Sequence, residues 1–343
     1  MRGAGVRKDK PRRVSRVDVA RRAGVSAQTV SRVVNGDPVV VSATRQRVVD
    51  AMAELGYRPN RAARALKSGE FRALGVMLFT LSSSGNSRTL EAIATHAAAE
   101  GYTITLLPVV APTQEQVSGA FSRLDELAVD AVIAIVEVHL LDAATITLPP
   151  RAEVVVVDSD AGDRYSVVDT DQAEGARQAV RHLLDLGHRT VWHVAGPEGS
   201  FAAERRARSW RQELQAAGLP VPPLVRGDWS AASGYEAGLW LAGEPDCTAV
   251  FVANDEMALG VLRALNTHGR SVPQDISVVG FDDFSQAAYF APPLTTVHQD
   301  FAEVGRRCVE QALRQIRGEH VGHGTTLVPT RLVVRESTAP PRP

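Results

Sequence analysis

Two groups of residues in this 343-residue chain have the types and spacing for recognition chemistry. The first lies in SAQTVSRVVN, residues 26–35, where Gln28 and Arg32 are four apart and share a helix face roughly opposite Val30. A Gln and an Arg projecting together from an exposed helix can read base edges in a major groove, Gln suiting adenine and Arg guanine. Ser26, Thr29, Ser31 and Asn35 are short polar groups suited to phosphate oxygens, contacts that position a helix without specifying sequence. The plainer reading is a small solvated domain whose charges have no partner.

The second group stands where apolar runs end: Asp158 after VVVV, Asn254 after AVFVA, and Asp282 after SVVGF. If those runs are strands of parallel sheets, such residues sit at the carboxyl ends where open α/β folds bind ligands. Arg206 adds a fork of donors and Trp229 an aromatic plate. Carboxylates, an amide, a guanidinium and an indole suit a sugar, whose hydroxyls need paired donors and acceptors and whose C–H face can lie on a ring. Each residue also has a plainer role, as a helix cap, a core tryptophan, or one charge in the run Arg205, Arg206, Arg208. Asn254 and Asp255 can divide the work, Asp255 capping the next helix while Asn254 faces the cleft.

The elements that must position these groups differ along the chain, and charge marks the change. Residues 1–67 hold 16 of the 38 Lys and Arg but 5 of the 39 Asp and Glu, a balance of +11 against −12 for the remainder. A short basic segment on an acidic body suggests that the first part meets a polyanion and the second does something else. The two cysteines, Cys247 and Cys308, form no CxxC pair, which fits a reducing cytosol. No apolar stretch is long enough to span a membrane and no h-region follows the basic start, so a cytoplasmic, nucleoid-associated protein without membrane partners is expected.

Within the basic segment, residues 1–13 read as a disordered tail and residues 14–59 as three helices. Ser15 with Asp18 makes a capping box for a helix that stops at Gly24. Ser26 caps a second helix ending at Gly36, and Ser42 caps a third running to Gly56, with Val48, Val49, Met52 and Leu55 at helical spacing. Residues 60–70 follow as a linker in which 61–67 can fold only against a partner, because two turns are too short to stand alone in water. There Leu66 could wedge between base steps of a minor groove, although composition alone fits a bare linker equally well.

From residue 71 to 338, short apolar runs alternate with amphipathic segments. Strands are expected at 73–79, 103–109, 131–136, 154–158, 190–195, 224–226, 249–253 and 276–281, with helices at 87–100, 171–186, 203–217, 235–241 and 256–268. Continuous Val/Ile/Leu runs mark parallel strands buried on both faces. The fold class is therefore α/β, a helix-turn-helix headpiece followed by a doubly wound body of two subdomains rather than one large sheet. One subdomain is expected from 71–168 with 300–326, the other from 169–299 with 327–338, leaving 339–343 as a tail.

VDVARRAGVSAQTVSRVVNG, followed by VSATRQRVVDAMAELGYRPNRAARAL, resembles the DNA-binding headpiece and hinge helix of the lactose/galactose repressor (LacI/GalR) family. The resemblance continues through HLLDLGHR, AGP, GDWSAASGY, VANDEMALG, DISVVGFDD and PPLTTVHQDF, and covers about residues 14–336. It implies a body like periplasmic sugar-binding proteins and a repressor whose affinity for a palindromic double-stranded operator is controlled by a small sugar of galactoside type. The DNA contacts it implies are Ser26, Ala27, Gln28, Thr29, Ser31, Arg32, Asn35, Tyr57, Asn60, Arg61, Ala63 and Leu66. Where the best-matched member opens its recognition helix with Tyr-Gln, this chain has Ala27-Gln28, so its operator should differ.

The same resemblance places Asp158, Arg206, Trp229, Asn254, Asp282 and Gln299 at sugar-binding positions. Phe79 and Ser83 stand where that member has Ser and Leu, and Ala202 replaces a Ser near Arg206, so the end of the pocket that meets the substituent is remodelled. One helix-turn-helix reads too few base pairs, so a homodimer is expected, and RESTAPPRP offers no tetramerisation helix. No cofactor or metal is expected: GxSxG, P-loop, HExxH and GxGxxG are absent, and the pairs His188/His193 and His320/His323 lack a ligating frame. The expectation is a regulator and not an enzyme. The rivals are a ligand that strengthens DNA binding as corepressor, a sugar-binding receptor and an enzyme on the same body.

Overall fold

The computed structural model describes residues 14–34, 37–58, 70–78, 81, 83–109, 119, 129–135, 153–158, 165–319 and 322–342. The chain divides into two compact units, residues 1–71 and 72–343.

In the first unit, α1 (Arg16–Ala23) starts at the expected capping box: Ser15 accepts from the Asp18 amide and Asp18 accepts from the Ser15 amide. It ends at Gly24, whose φ of 65° turns the chain into α2 (Ala27–Val34). The Ser26 hydroxyl accepts from the Thr29 amide at 3.0 Å and so starts that helix. For α3 (Ser42–Glu54) the cap differs from expectation, because Val41 is the N-cap, no side chain caps it, and Ser42 is already helical. Val19, Val30 and Val48 are fully buried and, with Ala20, Ala23, Val33 and Ala51, make one core from all three helices. Val49, expected on the apolar face, is 46% exposed, and the small Ala51 is buried instead.

The second unit holds two six-stranded sheets, each covered by helices. The first sheet runs in the order β11-β5-β4-β3-β1-β2, built from β1 (Ala73–Leu78), β2 (Thr103–Pro108), β3 (Ala131–Ile135), β4 (Glu153–Val157), β5 (Ser166–Thr170) and β11 (Gly324–Val328). All its pairings are parallel. The second runs β12-β10-β9-β8-β6-β7, from β6 (Trp192–Ala195), β7 (Val225–Arg226), β8 (Ala249–Val252), β9 (Ser277–Asp282), β10 (Thr295–His298) and β12 (Arg331–Val333); only β12 is antiparallel. Among the described residues the α-helices of this unit are α4 (Ser84–Ala99), α5 (Gln172–Asp185), α6 (Phe201–Ala216), α7 (Ala231–Ala242), α8 (Asp255–Thr267) and α9 (Phe301–Ile316).

The chain crosses between the halves after β5, after β10 and after β11. The expected subdomain ends at 168 and 326 therefore fall two residues early, since β5 continues to Thr170 and β11 to Val328. The last residues are not a loose tail either. Ser337 is buried and exchanges hydrogen bonds with the backbone of Val278, while Ala339 pairs with the Ser277 hydroxyl and Arg342 with Asp275. Among the described residues, no helix is long and apolar enough to cross a membrane.

Helices α7 and α8 pack on one another through Gly234 and Gly260. A Cβ on Gly234 would lie 2.1 Å from the Met257 carbonyl oxygen, and one on Gly260 would lie 2.0 Å from the Ala231 carbonyl oxygen. Since backbone cannot yield as a side-chain tip can, Gly260→Ala should cost about 1–3 kcal/mol and lower the melting temperature by several degrees. Calorimetry of the purified variant checks this; an unchanged melting temperature would show that the helices can separate freely.

Candidate functional site

In the first unit, Ala27, Gln28 and Arg32 lie exposed on α2, on the face turned away from Val30 and Val33. Arg32 also lies 3.8 Å from the Asp37 carboxylate. Ser26 and Thr29 share a 2.9 Å hydroxyl contact besides the capping bond, so both serve the helix start, and Ser31 is half-buried. The Tyr57 side chain packs against the three-helix core. Asn35, Asn60, Arg61, Ala63 and Leu66 lie outside the described residues, as do Phe79 and His320.

In the second unit, the carboxyl ends of the two sheets enclose a cavity of about 190 Å³. It is lined by Asp158, Arg206, Trp229, Asn254, Asp282 and Gln299 together with Ser83 and Ala202, so every described residue expected at a ligand site lies on it. Backbone geometry forces several of them inward. Asp158, Trp229 and Asp282 have φ of 58°, 75° and 109°, conformations that non-glycine residues adopt at a cost of about 1–3 kcal/mol and that persist where surrounding contacts hold them. The Trp229 ring lies flat against Gly196, where a Cβ would come within 2.3 Å of it.

Arg206 is 4% exposed and sits at the centre. Its Nε donates to Gln172 Oε1 at 2.8 Å, its Nη1 donates to the Ala253 carbonyl and lies 3.9 Å from Asp282, and its guanidinium covers the Phe281 ring at 3.7 Å. Gln172 Nε2 donates to Gln299 Oε1, and Gln299 Nε2 donates to Asp282 Oδ1 at 2.6 Å. Burial pushes Asp282 up to about 6 against the opposing pull of Arg206.

Asn254 lines the cavity as expected, but the cap expected of Asp255 falls to it as well. Asn254 is the cap of α8, its Oδ1 accepting from the Met257 amide at 2.9 Å, and its Nδ2 donates to the Trp229 carbonyl. It holds the tryptophan loop in place while lining the cavity. Asp255 is fully buried, accepting from Thr296 Oγ1 and the Phe284 amide. The histidine pair also resolves into structure: His193 Nδ1 donates to the Phe251 carbonyl and the ring stacks on that of Phe251, and His188 bridges Thr248, Ser277 and Ala339. Among the described residues no group of His, Cys, Asp or Glu is placed to hold a metal.

Among the cavity residues that escaped the sequence reading are Gln172 and Asp169. The signal for Asp169 was the one used for Asp158 and Asp282, an acid closing an apolar run, here SVVD. Asp169 is 1% exposed; its Oδ2 accepts from Arg205 Nη1 at 2.7 Å, and its carboxyl is hydrogen-bonded to that of Asp158, two buried acids side by side. Burial and the neighbouring Asp158 push Asp169 up to about 8, and burial raises Asp158 as well.

A carboxyl whose pKa is raised in the folded state stabilises most below its unfolded value of 3.8 and loses that contribution as pH rises through its folded value. Burial holds His193 down at about 3, a contribution already complete above its unfolded value of 6.5. Between about pH 6.5 and 8 the buried acids Asp169, Asp158 and Asp255 therefore dominate, and stability should fall with rising pH at about 1.4 kcal/mol per unit for each acid that stays protonated. Urea unfolding at stepped pH measures the slope, which Asp169→Asn should flatten; a wild-type stability that holds level across this window would contradict the assignment.

Comparison with known proteins gives consistent relationships. Residues 17–60 match the family described as bacterial regulatory proteins, lacI family, and residues 180–338 match the periplasmic binding protein-like domain. The chain is 36% identical over 336 residues to the lactose operon repressor of Klebsiella pneumoniae, spanning 96% of this chain and 94% of that protein. It is 29% identical over 331 residues to the HTH-type transcriptional repressor PurR of Haemophilus influenzae, spanning 93% and 97%. Among solved structures, that of the lac repressor dimer bound to operator and the anti-inducer ONPF superposes with a TM-score of 0.85 at 34% identity, covering 96% of this chain and all of the other.

Proposed function

Since the chain belongs to the lacI family of bacterial regulatory proteins, and is a DNA-binding transcriptional repressor with a periplasmic-binding-like body, we propose that a small sugar of galactoside type is its effector and sets its operator affinity. The observation that carries this reading is the polar ring around the cavity. Arg206, Asp282, Asn254 and Gln299 face one another with the Trp229 plate beside them, and donors, acceptors and an aromatic face converge as a pyranose requires. A cavity of about 190 Å³ lies below the ~300–1,000 Å³ of drug-sized pockets and suits one ring with a modest substituent.

Gln28 and Arg32 are the base-reading residues of this proposal, with Ala27 marking an operator different from that of relatives that carry an aromatic residue there. Phosphate contacts fall to Ser31 and Asn35, and the segment containing Asn60, Arg61, Ala63 and Leu66 meets the minor groove, with Leu66 as an apolar wedge between base steps. The functional unit is a homodimer on a palindrome, in which ligand favours one angle between the body's two halves and so changes operator affinity. The cytoplasm is its place of action, and the cleft binds without a catalytic step. A second reading, a purine-type corepressor that strengthens DNA binding, is favoured by the 29% identity to the PurR repressors and differs in the class of ligand and in the sign of its effect.

A thermal-shift screen of mono- and disaccharides, galactosides first, followed by operator titrations with each hit, identifies both the ligand and the sign. Arg206→Ala should abolish the ligand response in a gel shift while leaving basal operator binding within about threefold of wild type. A ligand titration of that variant indistinguishable from wild type would remove Arg206 from the site. Deleting residues 1–67 should abolish operator binding and leave a folded body that still binds the sugar; sequence-specific DNA binding by residues 68–343 would refute the division of labour.

A further inference from the structure

Arg32 does not stand alone on the exposed face of α2. Its Nε lies 3.8 Å from Oδ2 of Asp37, in the turn that follows the helix, and both side chains are partly exposed. Three further bonds fix Asp37 in place. Its amide donates to the Arg32 carbonyl at 3.0 Å, its carbonyl accepts from Arg45 Nη2 at 2.6 Å, and its Oδ1 accepts from the Val39 amide at 3.0 Å. The first ties it to the end of α2, the second to α3, and the third closes an Asx turn. The remaining oxygen, Oδ2, is thereby held beside Arg32.

An exposed ion pair of this length adds little to stability; its consequence is orientation. An arginine has several rotatable bonds, and freezing them over one base subtracts from the affinity gained there. Its guanidinium can offer two parallel donors, either Nε with one Nη or the two Nη groups together. A carboxylate on the Nε side occupies the first edge and leaves the second. In the major groove guanine presents two acceptors, O6 and N7, to such a pair, whereas adenine sets a donor beside its acceptor and thymine offers one acceptor. A freely swinging arginine can settle on thymine O4 or on a phosphate oxygen. One whose charge is partly met by a carboxylate gains less from a phosphate.

We propose that Asp37 is a positioning residue for base reading: it holds Arg32 with its two Nη groups aimed at one guanine in each half-site, and so sets how strictly that base pair is required. The inference rests on the reading of Arg32 as a base contact, and adds the base and the residue that enforces it. Asp37 itself touches no base. Its carboxylate repels DNA of any sequence, so it lowers general affinity while raising discrimination.

The test uses the purified full chain. Wild-type protein selects its preferred sequence from a pool of randomised duplexes, and fluorescence anisotropy then measures affinity for that duplex, for each single base-pair substitution of it, and for a scrambled duplex. Arg32→Ala identifies the base pair whose preference Arg32 carries, expected to be G·C. Asp37→Asn keeps the Asx turn, because its amide oxygen can accept from the Val39 amide, and removes the charge that draws Nε. It should reduce the preference for guanine at that position by about fivefold or more, leave preferences elsewhere within about twofold, and bind the scrambled duplex at least as tightly as wild type. A residue that serves the turn alone would give equal changes at every position, or none, and either result overturns the proposal. So would a wild-type requirement for a pair other than G·C at the Arg32 position. If Asp37→Asn fails to fold, Asp37→Ser carries the same comparison, since its hydroxyl can accept from the Val39 amide but cannot reach Arg32. Preferences that all survive Arg32→Ala reject Arg32 as a base contact and the proposal with it; a guanine preference lost in Arg32→Ala but intact in Asp37→Asn rejects the role of Asp37 alone.

Discussion

A guanidinium taken out of water must be met by partners on every side, and in this body that requirement is met for Arg206 by drawing the ends of several elements together. Its donors reach the Ala253 carbonyl just past β8, Gln172 at the start of α5, and the neighbourhood of Asp282 at the end of β9. Gln299, which follows β10, completes the loop by bonding both Gln172 and Asp282. One buried charge thereby fixes the relative positions of three strand ends and of the residues at two of the crossings between the halves. The strained backbone of Asp282 is held in this same network, which gives a physical reason for its persistence.

Behind the charge stand residues whose importance lies in what they lack. Phe281 can lie under the Arg206 guanidinium because Gly175 leaves room for its ring; a Cβ there would come within 2.7 Å of it. Gly196 does the same for Trp229, whose carbonyl is in turn held by Asn254. The polar face of the cleft is therefore set from beneath by close packing, where a change of one methyl group would move the ring and with it the donor or acceptor it supports.

What the sequence made legible follows the same physics. The headpiece could be read because caps and glycine stops are local: Ser15 with Asp18, Ser26 and Gly24 all act as their types predict. Ser42 did not, since the turn before α3 is set by packing and not by a side-chain cap. Strands buried on both faces stood out as apolar runs, but β5, β10, β11 and β12 were missed. SVVDT, TTVH and GTTLV carry threonines and an acid that a strand at a sheet edge or cleft can accommodate, and RLV is short. Missing β5 also hid Asp169, because an acid is recognisable as cleft-facing only once its strand is known. The cap expected of Asp255 falls to Asn254 for a related reason. Either can cap a helix, and the deciding fact, that Thr296 and the Phe284 amide wait for a carboxylate beneath β9, is a long-range contact no local pattern encodes.

The cleft's chemistry is divided between its two walls, and that division bears on regulation. Asp158 and Asp169 belong to the first half of the body, whereas Arg206, Trp229, Asn254 and Asp282 belong to the second. A ligand satisfying acceptors on one wall and donors on the other makes its full set of contacts only at one angle between them, so its affinity must differ between open and closed arrangements. Reciprocity then requires that whatever favours an angle also changes ligand affinity by the same factor, typically about 1–3 kcal/mol of coupling. The same cleft contacts would serve induction or corepression, according to which angle the operator-bound state adopts. The contacts decide which molecule is bound and how strongly the angle is biased; the sign of regulation is set at the operator.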